Sequence, residues 1–217
     1  MKVNASKTQL LCIHSNANSV ITSYIRDGNM EINSSDSLKI LGFHFGTDPN
    51  AVLHVTKTID KMYSKLWTLR FLKKAGMKRE NLVGIYKDVI RPSAEYSSVV
   101  YNSLIPEYLS HKLESVQKQA IKNFYGWDVD KSLIENETIS SLKQRRDEAT
   151  LKFALKAAKS SRFSYWFRET PSTEREVRLS TRNKYIEKAC RTERGRNNPL
   201  NVITRLLNDH HRENIGI

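Results

Sequence analysis

The period of the hydrophobic positions changes near residue 50. Before it, short β-leaning runs stand close together, "TQLLCI", "SVITSYI", "MEI" and "LKILGFHF", with Asp27-Gly28 between two of them as a hairpin signal. From about residue 51, Val55, Ile59, Met62, Leu66 and Leu69 recur at three- and four-residue steps, with Lys57 and Lys61 opposite. That spacing predicts an amphipathic helix ending near Gly76. A second helical stretch puts Leu82, Ile85, Tyr86 and Val89 on one face until Pro92 ends or kinks it. A third begins after Pro106 and carries Leu109, Leu113, Val116, Ala120 and Phe124. A fourth, from about Ile139 to Phe167, has Leu142, Ala149, Phe153 and Ala157 among its apolar positions. The basic run "TRNKYIEKACRTERGRNN" shows little periodicity, and a short apolar turn is expected from Val202 to Leu207. The fold class this predicts is α+β, mostly α, with short N-terminal antiparallel β-hairpins followed by helices.

Charge sharpens the plan. The chain of 217 residues has a formal charge of +13, a surface that attracts polyanions such as nucleic acid or anionic membranes. The excess is local. Residues 1 to 53 are neutral, whereas residues 54 to 79 hold eight basic side chains against Asp60 alone. Residues 138 to 168 hold eight against Asp147 and Glu148, while residues 80 to 137 are net acidic. Two helices therefore carry most of the positive charge, the distribution expected of faces that flank a phosphate backbone. Basic side chains also simply solubilise exposed helix faces.

Candidate chemistry is sparse. Cys12 and Cys190 form no CxxC pair and no zinc-type cluster, so a reducing compartment is the default. No signal peptide or membrane span is read, which predicts a soluble intracellular protein. Asp27, Asp36 and Asp48 each have an ordinary turn or helix-start role, and Asp128 and Asp130 in "GWDVD" read as a solvated loop. His210 and His211 are adjacent and diverge on a helix. No Gly-rich phosphate loop, Ser-His-Asp arrangement or His-Glu-x-x-His run occurs. No catalytic centre and no metal site is expected on these residues.

Several segments, in order, resemble one family. "VNASKTQLLCI" resembles the Asn-x-x-Lys-Thr strand that follows the catalytic core in the palm of reverse transcriptases of non-LTR (LINE-like, jockey-type) retrotransposons. "SLKILGFHF" looks like the hairpin that comes next in that family. "KLWTLRFLKKAG", "IYKDVIRPSAEYSSVVYNSLIP" and "LESVQKQAIKNFYG" are similar to its thumb and post-thumb helices. The resemblance covers residues 3 to 126 and implies three parts: a palm remnant over 1–50, a thumb-like helical domain over 51–126 and a basic helical C-terminal extension over 127–217.

The family's metal-binding aspartates lie upstream of the Asn-x-x-Lys-Thr strand. The resemblance therefore implies a chain inactive alone, with no cofactor of its own and Mg2+ needed only in the intact RNA-directed DNA polymerase. Its implied partners are an RNA template, a DNA primer and the missing palm and fingers, with no membrane, in nucleus and cytoplasm. Lys7 resembles the palm lysine near the incoming triphosphate, a leaving-group stabiliser in the intact enzyme. Leu41, Gly42 and Phe43 resemble the hairpin that positions the primer end, and Lys57, Lys61 and Lys65 the thumb face along the duplex. Arg145, Lys152 and Lys156 are the corresponding candidates on the second basic helix. Tyr63 and Trp67 are expected in the core rather than against bases. The alternative function is a non-enzymatic basic helical module that binds nucleic acid, and a third reading is a protein-interaction helical bundle. Residues 1 to 50 are expected to be the least stable part, because a strand edge without its neighbours leaves backbone groups unpaired.

Overall fold

The structure is a computed structural model that describes residues 7–13, 24–27, 30–48, 50–126, 139–170 and 183–215. It is mostly helical with two small antiparallel sheets of two strands each, in agreement with the α+β, mostly α class. Gly28 of the hairpin signal, Asp128 and Asp130 lie outside the described residues. The chain divides into two compact units, Met1–Tyr96 with Ile105–Glu137, and Ser97–Leu104 with Thr138–Ile217.

The first unit begins with two hairpins. Strand β1 (Tyr24–Asp27) pairs with β2 (Met30–Asn33), with Asp27 opposite Met30. Strand β3 (Ser37–Ile40) pairs with β4 (Phe43–Gly46), Ile40 opposite Phe43, which leaves Leu41-Gly42 as a two-residue turn. Both turn residues have positive φ, 48° and 86°, as the right-handed twist of the flanking strands demands. The run "TQLLCI" forms no strand of its own. Leu10 makes one parallel bridge to Ser34, and the Ser35 N–H donates to the Leu10 carbonyl at 2.7 Å.

Helix α1 (Val52–Lys74) buries Val55, Ile59, Met62, Leu66 and Leu69, the stripe the spacing predicts. It ends in a Schellman turn: Gly76, at φ 85°, donates to Lys73 O, and Met77 N–H reaches Leu72 O at 3.1 Å. Helix α2 (Arg79–Ile85) then passes into a π-helical turn at Tyr86–Ile90 and on into α3 (Arg91–Glu95). Pro92 therefore neither ends nor breaks the run. Its ring is accommodated by widening the backbone just upstream, where a regular turn would clash with it. The extra residue rotates the buried face, so Leu82, Val83, Tyr86, Ile90 and Ala94 are buried and Val89, expected inside, is exposed.

After α3 the chain makes the short helix α4 (Ser98–Tyr101), which belongs to the second unit, and returns as α5 (Glu107–Tyr125). Leu109, Leu113, Val116, Ala120 and Phe124 of α5 are all buried, as read from the sequence, and α5 packs along α1. Inside this unit the Tyr86 hydroxyl donates to Gln117 Oε1 at 2.6 Å, so both buried polar groups are satisfied.

In the second unit, helix α6 (Leu142–Lys159) starts at Ser141, whose Oγ accepts from the Gln144 N–H, and a 3-10 turn follows at Ser164–Trp166. Its buried positions are Leu142, Arg146, Thr150, Ala154 and Ala157, so Ala149 and Phe153 lie at the flank of the face rather than its centre. After α7 (Glu193–Arg196), helix α8 (Pro199–Ile215) replaces the short apolar turn expected at 202–207. Ala154, Ala157, Phe167, Ile203 and Leu207 form the core. Asn208, wholly buried, pins the segment at Tyr185 by accepting from its N–H and donating to its carbonyl, both at 2.9 Å.

Candidate nucleic-acid interface

Helix α1 carries the first candidate face. One side is spent on the core, which leaves Lys57, Lys61, Tyr63, Trp67, Arg70, Phe71 and Lys74 exposed. Lys65 is directed elsewhere: its ammonium donates to Val89 O at 2.6 Å and to Ser93 Oγ at 2.8 Å, tying α1 to the turn and helix that follow α2. Burial and then the charge of Lys61 lower its pKa. Of the three lysines expected along a duplex, Lys57 and Lys61 stand on the open face and Lys65 is half-buried.

The expectation that Tyr63 and Trp67 sit in the core is corrected. Trp67 is 67% exposed, Tyr63 39% and Phe71 57%. The Trp67 and Phe71 rings stack on one another with centroids 5.8 Å apart and planes within 15°. The signal was present in the sequence. Tyr63, Trp67 and Phe71 recur every four residues and sit about 80°, 120° and 160° around the helix from the centre of the Val55 to Leu69 stripe, so Tyr63 borders the buried face and the other two turn away from it.

At the N-terminal end of α1 the site is a small imidazole cluster. His54, buried, stacks against Phe43 at 4.1 Å, and its Nδ1 accepts a 3.4 Å hydrogen bond from the His44 backbone N–H. Burial, and then His44, pull the His54 pKa down to about 4. His44 lies 3.3 Å from the Lys57 ammonium, and burial, Lys57 and Lys39 lower its pKa too. Phe43, expected to contact a primer, is therefore a packing residue in this structure, buried between hairpin and helix.

Leu41 and Gly42 occupy the hairpin tip. Leu41 is 89% exposed, and its carbonyl accepts from the Tyr96 hydroxyl. Glycine suits position 42 by its φ, and a Cβ there would meet the exposed Tyr96 ring at 3.3 Å, so that ring would have to shift by a few tenths of an ångström. Lys7 is exposed in a segment outside any strand.

The second face is on α6. Lys152 and Lys156 are exposed, and Arg145 is half-buried on the same stripe, which Lys159 continues at the helix end. Arg146, which the sequence does not mark out, points inward. Its Nε donates to Asn102 Oδ1 at 3.2 Å, the Asn102 amide donates to Asp147 Oδ1 at 2.8 Å, and the Thr150 hydroxyl donates to Arg146 O at 2.7 Å.

Among the described residues no group of three or more His, Cys, Asp or Glu side chains converges as a metal site. Asp48 accepts from the Asn50 N–H at 2.8 Å in a local turn before α1, whose N-cap position is Ala51. No helix among the described residues is long and apolar enough to cross a membrane. Neither a family model, nor a curated protein, nor a solved structure matches the chain.

Proposed function

We propose that this chain is the C-terminal part of a non-LTR retrotransposon reverse transcriptase, contributing grip on the RNA template and its DNA primer. The observation that carries the nucleic-acid half of this proposal is the pair of open basic faces, Lys57 and Lys61 on α1 and Lys152 and Lys156 on α6, each on a helix whose opposite side is buried. Lysines so placed neutralise phosphates and release counterions, the dominant source of affinity for such ligands. The polymerase half rests on the order of the segments from Asn4-Ala5-Ser6-Lys7-Thr8 through Leu41-Gly42 to the helices ending at Gly126. Nucleotidyl transfer, and the Mg2+ it needs, is then the work of aspartates on the palm portion. Lys7 and the Leu41-Gly42 tip are the residues of this chain nearest to that chemistry.

A second reading is a non-enzymatic basic module that binds nucleic acid without the polymerase. It is favoured by each unit having a buried core of its own, Met62 and Leu113 in one and Ala154 and Leu207 in the other. Both readings predict affinity that falls steeply with salt, and replacing Lys152 and Lys156 by Ala should lower the slope of log affinity against log salt by about 2. Primer extension separates them. The chain alone should incorporate no dNTP, and mixing it with the family's palm and fingers portion should restore extension. Incorporation by the chain alone overturns the first reading, and absence of restoration favours the second. Salt-insensitive binding to a protein with none to nucleic acid would leave only an interaction bundle.

A further inference from the structure

The geometry points to the outer face of α1 as a stacking platform for unpaired bases, a single-strand site formed by the Trp67 and Phe71 rings. This rests on the nucleic-acid reading above and names its ligand more closely. The core stripe of α1 is complete without these side chains, yet two of the largest apolar rings in the helix stand in solvent, held nearly parallel. Tyr63 extends the row by one more turn.

Positive charge borders the row on one side, where Arg70 and Lys74 are exposed beside the Trp67 and Phe71 rings; Lys61 stands about 120° around the helix from Trp67, and the exposed Asp60 lies seven residues before Trp67 in line with the row. An apolar protein partner would have to strip water from these cations without replacing it, which is costly. A strand of nucleic acid presents a phosphate to the cations and a π-face to the rings, so its chemistry fits both features at once. Bases in a duplex already stack on their neighbours. The platform therefore selects unpaired nucleotides over paired ones. The 5.8 Å between centroids is too little for a base to enter, since two stacking spacings need about 7 Å, so bases extend the ladder from its outer faces.

Fluorescence anisotropy on the full chain tests this, with an oligothymidylate of about 15 nucleotides, an abasic strand of equal length and charge, and a duplex. Trp67→Ala with Phe71→Ala should weaken oligothymidylate binding about 10- to 100-fold and leave the salt slope unchanged. The abasic strand should bind the wild-type chain as weakly as oligothymidylate binds that variant. Trp67→Tyr with Phe71→Tyr, which keeps two rings, should recover most of the loss. Equal affinity of wild type and the alanine variant, or of thymidylate and abasic strands, overturns the platform while leaving phosphate binding by the lysines intact. A wild-type chain that binds no nucleic acid at all overturns the parent reading as well. A wild-type dimer that the alanine variant turns into monomer would assign the rings to a contact between copies and likewise overturn the proposal.

Discussion

His54 shows how one buried side chain makes stability depend on pH. Its ring is packed under Phe43, and its Nδ1 accepts a backbone N–H, a bond that protonation of that nitrogen destroys. In the unfolded chain it titrates near 6.5, in the folded one at about 4. Between these values the unfolded state holds a proton that the folded state refuses, so the stabilisation is fully present above about pH 6.5 and is lost as pH falls toward 4. The gap between the two values corresponds to roughly 3 kcal/mol. His54→Asn keeps an acceptor near Nδ1 but does not titrate, so its denaturation midpoint should fall less than the wild type's between pH 7 and 4.5. Parallel curves for the two proteins would show that the ring is not held neutral. None of this was legible in the sequence, where His54 is one more polar residue at a helix start, because its burial is decided by a hairpin ten residues away. Trp67 is the opposite case: its exposure follows from its place around the helix, which the sequence alone supplies.

Elements whose buried face is apolar are legible in local spacing, and those whose buried face holds polar groups are not. Helices α1 and α5 bury the residues that their apolar periods select. Helix α8 is not legible in the apolar pattern because Asn201, Thr204 and Asn208 share its buried face with Ile203 and Leu207, which breaks the stripe. The partners of those polar groups are backbone atoms: the Asn201 amide donates to Gly195 O at 2.8 Å, and Asn208 brackets Tyr185. Only the fold reveals such pairings. The buried face of α6 departs from its apolar pattern for the same reason, since Arg146 and Thr150 lie inside through contacts with Asn102 and with the helix's own backbone. The π turn before Pro92 likewise exposes Val89 against the count of residues.

The end of α1, by contrast, was placed correctly by Gly76, and that supports a quantitative expectation. A Cβ there meets nothing within 4 Å, so Gly76→Ala changes backbone strain alone. It should cost about 1 kcal/mol in denaturant unfolding, with the basic faces still binding. A change near zero would mean that the Schellman turn contributes nothing to the helix end.

Across the whole molecule, protection is expected to follow burial. Tyr24, Ile25 and Arg26 of β1 are exposed, and β1 with β2 forms a sheet of only two strands, marginal without a packed face. Helices α1 and α5 bury Val55, Met62, Leu113, Val116 and Ala120 at 0% exposure. Amide exchange should therefore be fastest in β1 and β2 and slowest along the facing sides of α1 and α5. The reverse order would contradict the expectation that residues 1 to 50 are the weakest part. The two basic faces were legible from charge counts by segment. Which lysines stay on them was not, because Lys65 is claimed by a carbonyl 24 residues away.

The chain leaves the first unit at Ser97, returns at Ile105 and leaves again near Thr138. Asn102, on that excursion, is bonded to Arg146 and Asp147 of α6. A crossover in the gene between residues 126 and 139 would therefore not exchange a self-sufficient cassette. It would join an Asn102 from one parent to an Arg146 and Asp147 from another, so these three positions should be inherited, and should vary, as one block.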